Sequence, residues 1–244
     1  MVLVLSEIDI VIVVVAMTAA SFVQSSVGFG LALVSGPFLL LLNPHFFPGP
    51  MLATALVNTL LMVRRERQSI DIRGVAYVMI GRIPGTFVAA VVLTFLTQRS
   101  YDLIFAAIII LSVGLSALGW RVSPTPRNST IAGFAAGLMG TISSIGGPPL
   151  ALLYQHATGP TMRSSLAAMF VLGAIVSLTA LSIIGRFGLE EIKLTCFMIP
   201  GVVIGFLASS YGAKWVDAGR LGPCVLIVSG LSAIAVIIRT WLIN

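Results

Sequence analysis

Apolar residues run through this chain in blocks, all but one of them long enough to cross a lipid bilayer, and short polar stretches separate them. A helix needs about 20 predominantly apolar residues to span a hydrocarbon core roughly 30 Å thick. The blocks are Ile8–Leu42, Met51–Val63, Gly74–Leu96, Tyr101–Trp120, Ile131–Tyr154, Ser164–Gly185, Leu194–Ala213 and Leu221–Ile243. The first and fifth are interrupted by glycine, serine and proline. The connectors are Arg64–Arg73, Gln98–Ser100, Arg121–Ser129, His156–Arg163, Arg186–Lys193 and Lys214–Arg220, all too short to hold a soluble domain. The pattern predicts an all-α, polytopic transmembrane bundle.

Composition agrees. Apolar residues make up 58% of the 244 and charged residues only 9%, with a mean hydropathy of +1.09. A soluble domain carries about 25% charged residues, so lipid must cover much of this surface. The net charge of +6 comes from arginines and lysines placed mainly between apolar blocks, as the positive-inside rule expects. With no separate basic domain, nucleic acid is not an expected partner. Cys196 and Cys224 fall inside apolar blocks without metal or redox spacing and read as small core residues. The flank before Val11–Ala20 carries Glu7 and Asp9 and no basic residue, unlike a signal peptide, so the first block reads as a retained span.

Short segments recur in order at a nearly constant offset. Ser25-Ser26-Val27-Gly28 returns as Ser143-Ser144-Ile145-Gly146, and Gly49-Pro50 as Gly159-Pro160. Ile83-Pro84-Gly85 returns as Ile199-Pro200-Gly201, and Gly114–Ala117 as Gly230–Ala233. This pattern predicts two related halves, 1–122 and 123–244, each with an interrupted segment and three spans, an architecture usual in secondary transporters. If each interrupted segment crosses once, the halves are parallel. If each is a re-entrant hairpin, they are inverted. Arg64–Arg73 is expected on the cytoplasmic side either way, and the short arms Ile131–Ile142 and Pro148–Tyr154 favour hairpins.

The two interruptions, Ser25–Gly30 and Ser143–Pro149, are the candidate binding site. Unwound backbone cannot face lipid and must line an enclosed cavity, and the N–H groups at a helix start suit an anion. The expected substrate-binding residues are Ser25, Ser26, Gly28, Gly30, Ser143, Ser144, Gly146 and Gly147, together with Arg82. The competing reading is close helix packing through small residues. Arg82 lies eight residues past Gly74, roughly 12 Å along a helix rising about 1.5 Å per residue. An arginine at that depth is costly and points to function, and its forked donors suit an oxyanion. The alternative is that it snorkels to the interface. The repeat places Met198 at its counterpart. None of the eight acids lies near the middle of a block, and His156 reads as a loop residue. Gln24, Asn58, Tyr154 and Gln155 read as interhelical hydrogen-bonding groups. Neither a catalytic constellation nor a metal cluster stands out, so no enzyme activity, cofactor or metal is expected.

At these motifs the chain resembles the TauE/SafE family of sulfite and organosulfonate exporters. The resemblance spans essentially the whole length and rests on the two serine–glycine interruptions and on the Pro-Gly pairs at Pro84 and Pro200. It implies a multi-pass carrier in the plasma membrane, often exporting small sulfur-containing or carboxylate anions. Phe29 stands where a run of glycines is more typical, which sets the first interruption apart from the second. An exporter needs no coupling ion, because moving an anion outward across a membrane negative inside is downhill by about 2.3 kcal/mol per 100 mV. The small anion and the bilayer are the expected partners, and self-association into a homo-oligomer is left open. A carboxylate permease, a channel, and a membrane enzyme or assembly factor are the alternatives.

Overall fold

The computed structural model describes residues 6–117 and 122–216, and within them every regular element is helical. The interrupted first block forms α1 (Glu7–Val27) and α2 (Leu31–Leu42). Next come α3 (Gly49–Glu66), α4 (Ile72–Phe95) and α5 (Gln98–Ala117). The second interrupted block forms α6 (Pro126–Ser143) and α7 (Gly147–Tyr154), followed by α8 (Gly159–Ile183) and α9 (Leu189–Val216). Five of these, α1, α4, α5, α8 and α9, are long and apolar enough to cross a membrane. α3 is more polar because it ends on Arg64, Arg65 and Glu66. The predicted span Leu221–Ile243, Cys224 and the repeat segment Gly230–Ala233 lie outside the described residues. Cys196, expected in the core, is exposed on α9.

Local chemistry sets the helix ends. Ser6 and Asp9 form a capping box at the start of α1, each side chain accepting from the other's backbone N–H. Asp71 caps α4 through Gly74 N–H at 3.0 Å. Thr125 and Thr158 cap α6 and α8, each followed by a proline in the first turn. Pro84 and Pro200 sit inside α4 and α9 without ending them.

Two helix pairs, α4 with α6 and α1 with α9, form the most extensive contacts, and glycine makes both possible. Gly81 and Gly85 lie on the backbone of Thr130 and Phe134, while Gly133 and Gly137 lie on that of Val78 and Arg82. A Cβ at any of the four would overlap the facing carbonyl. Gly201 and Gly205 meet Val14 and Thr18 in the same way, and Gly212 faces Phe22. Residue numbers rise together on both members, so each pair is parallel. Small residues allow such approach in a solvent where burial of apolar surface supplies little drive.

Hydrogen bonds locate the connectors. Tyr154 Oη donates to Asp71 Oδ2 (2.8 Å), Asp71 N–H donates to Ser165 Oγ (2.9 Å), and Arg163 pairs with Glu66 (3.1 Å). The ends of α3 and α7 and the starts of α4 and α8 therefore share one end of the bundle. The connectors around Phe47, Tyr101 and Arg186 line a common cleft at the other end.

Candidate functional site

Each interrupted block breaks where the backbone turns left-handed. α1 closes on Gly28 (φ +111°), whose N–H donates to Gln24 O at 2.7 Å, and Gly30 (φ +124°) precedes α2. Both values lie in the region where a side chain is strained. α6 closes on Ser144 (φ +63°), whose N–H donates to Gly140 O at 2.8 Å, and Gly146 precedes α7. Ser144 spends its hydroxyl on Pro48 O at 3.1 Å, which ties the second break to the segment before α3. By helix ends, Gly28 corresponds to Ser144 and Gly30 to Gly146. The sequence match instead paired Gly28 with Gly146.

The two breaks meet. A Cβ on Gly147 would stand 2.8 Å from Phe29 Cβ, and a cavity of about 40 Å³ lies between the breaks. Phe29–Leu33 and Ser144–Gly147 form two walls, and Gln24, Leu52, Ala55, Arg82, Gly140, Phe170 and Ala174 complete it. One water needs roughly 10–15 Å³ by this measure, so about three waters or one compact oxyanion fit.

Arg82 reaches the cavity from the middle of α4 and is 2% exposed. Its guanidinium lies over Gly173 of α8, where a Cβ would overlap Nε and Cζ, and Nη2 lies near Gly140. The Phe170 ring flanks it at 5.8 Å. Nε and Nη1 are buried with no hydrogen-bond partner. Snorkelling to the interface is therefore not what this side chain does. Beside it, Thr141 Oγ1 bonds Thr86 Oγ1 (3.2 Å) and Ser177 Oγ (2.8 Å), joining α4, α6 and α8 through buried hydroxyls. At Met198, the repeat counterpart of Arg82, Thr54 donates to the sulfur at 3.4 Å.

Of the residues expected from sequence, Gly30, Arg82, Ser144, Gly146 and Gly147 line the cavity, and Ser25, Ser26, Gly28 and Ser143 do not. Ser25 donates to Asn58 Oδ1 at 3.0 Å, and its carbonyl accepts from Arg65. Ser26 Oγ is buried without a partner. Gly28 packs on Arg163 Cα and Leu166. Ser143 donates to Met139 O and accepts from Ile145 N–H, shaping the turn.

The anion-binding potential of the helix starts is smaller than the motif suggests. Leu31 N–H, first in α2, already donates to Gln24 Oε1 at 2.9 Å. Pro148 and Pro149 have no N–H, so Gly147 carries the only one among the first three positions of α7. Sequence reading placed Arg163 in a connector, but Thr158 starts α8 early enough to bury it (5% exposed) against Glu66. The Thr158-Gly159-Pro160 cap signal was the available clue. Asn58 accepts from Ser21 and Ser25 and Tyr154 donates to Asp71, all three bonds joining separate helices. His156 is exposed at the α7–α8 connector.

Among the described residues no cluster of three or more His, Cys, Asp or Glu could hold a metal ion. No curated protein and no solved structure matches the chain. A family model described as sulfite exporter TauE/SafE matches residues 12–236, nearly the whole length. Together with five helices apolar enough to span a bilayer, this makes the chain a multi-pass membrane protein that belongs to the TauE/SafE transporter family.

Proposed function

We propose that this chain is a secondary transporter that moves small sulfur-containing anions, sulfite or organosulfonates, out of the cell. In this reading the anion sits between the two breaks on Arg82, Gly30, Ser144, Gly146 and Gly147. Ser25, Ser26, Gly28 and Ser143 hold the breaks in shape. The observation that carries the proposal is the buried, unpartnered guanidinium of Arg82 in a cavity walled by both breaks. An arginine without a counter-ion at such depth is expensive to keep, and a bound oxyanion supplies the missing charge and acceptors. Export follows from energetics, since the membrane potential drives an anion outward without a coupling ion.

The same proposal covers architecture. Residues 1–122 and 123–244 are read as two inverted halves, with α1–α2 and α6–α7 as re-entrant hairpins from opposite faces. Two features support this. α1 runs parallel to α9, and α6 to α4, so the first helix of each half lies along a later helix of the other half. Gly146 also lies beside Ala136 and Gly140, as it would if the chain doubled back along α6.

Flux from proteoliposomes loaded with sulfite, thiosulfate, methanesulfonate, taurine or acetate tests the proposal. The expected result is saturable efflux of at least one sulfur anion, accelerated by a potential negative inside. Efflux of none of them above empty liposomes would overturn it, and unsaturable conductance would make the protein a channel.

A further inference from the structure

We infer that Gln24 is a second ligand of the transported anion and sets its selectivity. The inference rests on the transport reading above. Gln24 has a double role at the first break. The backbone carbonyl of Gln24 closes α1 by accepting from Gly28 N–H at 2.7 Å, while its side-chain Oε1 opens α2 by accepting from Leu31 N–H at 2.9 Å. The second bond decides which way the amide faces. Only the oxygen can accept from an N–H, so Oε1 is turned to the backbone and the amide nitrogen is left for the cavity that Gln24 lines. Nε2 donates to no described residue, and Gln24 is 5% exposed.

The cavity thus meets two donors. Arginine has no acceptor, and Gln24 has turned its own to Leu31 N–H. The third polar side chain in the wall, Ser144, has committed its proton to Pro48 O and so offers only its oxygen, at the second break. Phe29, Phe170, Leu33 and Ala174 supply apolar wall elsewhere. Such a lining matches a ligand that only accepts hydrogen bonds, a compact and fully deprotonated oxyanion. It penalises ligands that must donate on this side of the cavity, because a ligand N–H or O–H turned to Arg82 or to the Gln24 amide nitrogen would meet a donor and no acceptor. Buried polar groups left unpaired are what make such sites discriminating. Gln24 therefore favours a bare oxyanion over one that turns an ammonium or hydroxyl group toward it.

Gln24→Glu is the test. The carboxylate keeps an oxygen for Leu31 N–H, so the break retains its cap, but the group facing the cavity changes from donor to acceptor with a negative charge beside Arg82. The variant, Arg82→Gln and the wild type are compared in proteoliposomes for efflux of sulfite, methanesulfonate and taurine, with elution and thermal midpoint measured in detergent. The expected result is folding like wild type, at least a tenfold loss of sulfite efflux, and a taurine-to-sulfite ratio raised at least threefold. Efflux and ratio within twofold of wild type, with Arg82→Gln inactive, would overturn the role of Gln24 and leave the transport reading intact. Failure of Gln24→Glu to fold would also overturn it, since the amide would then serve the fold. If wild-type liposomes carry no flux, the transport reading falls, and this inference with it.

Discussion

Arg82 places a buried guanidinium, with Nε and Nη1 unpartnered, in the wall of the cavity between the breaks. Its position depends on Gly173, since no other residue type leaves room for the guanidinium against α8. Arg82→Lys keeps the charge but loses the forked donors and the fit against Phe170. Sulfite efflux in proteoliposomes is expected to fall at least tenfold for Arg82→Lys and to background for Arg82→Gln, at wild-type elution. Gly173→Ala, which displaces the guanidinium without touching its charge, should resemble Arg82→Lys. Normal efflux from Arg82→Gln would leave the anion to Gln24 and the few free backbone N–H groups. The depth of Arg82 was legible from its place in an apolar block. Its contact with Gly173 was not, because the two residues lie far apart in sequence on helices whose rotation local pattern does not set.

At the scale of elements, the parallel pairs α1–α9 and α4–α6 hold backbone directly against backbone. Gly81, Gly85, Gly133, Gly137, Gly201 and Gly205 leave no room for side chains, since the nearest facing atoms are backbone and cannot rotate away. Overpacking of this kind costs about 1–3 kcal/mol, occasionally more. Gly85→Leu and Gly205→Leu are therefore expected to lower the thermal midpoint in detergent by several degrees or to abolish monodisperse elution. Gly114→Leu, where a Cβ meets nothing within 4 Å, should behave as wild type. Equal behaviour of all three would show that the pairs tolerate separation. Pro84-Gly85 and Pro200-Gly201 were visible as repeated motifs, and the partner of each glycine was visible only in the packed bundle.

For the whole molecule, the shared end formed by Glu66, Asp71, Tyr154 and Arg163 bears on topology. Arg64–Arg73 is the most basic connector and is expected inside the cell, so residues 154–163 should lie inside with it. In a Cys196→Ser, Cys224→Ser background, Gln68→Cys and Ala157→Cys should resist an impermeant thiol reagent in intact cells. Gly185→Cys, at the opposite end, should react. Labelling of Ala157→Cys from outside while Gln68→Cys is spared would overturn the inverted arrangement in favour of parallel halves.

The sequence by itself determined the solvent and the helices. Apolar blocks, capping residues and glycine or proline breaks act through neighbours a few residues away, so they can be read along the chain. It also placed Arg82 and the two breaks, because a charge or an unwound segment inside an apolar block stands out locally. Only the tertiary structure decided which residues at the breaks face inward. Gly28 and Ser143 turn away while Gly30 and Gly147 turn in, because each helix ends on its left-handed residue and the next begins three residues later. The fold likewise buried Arg163 against Glu66 and locked Gln24 on Leu31. These contacts depend on where separate helices come to rest against one another, and that is fixed by the backbone approach across α1–α9 and α4–α6.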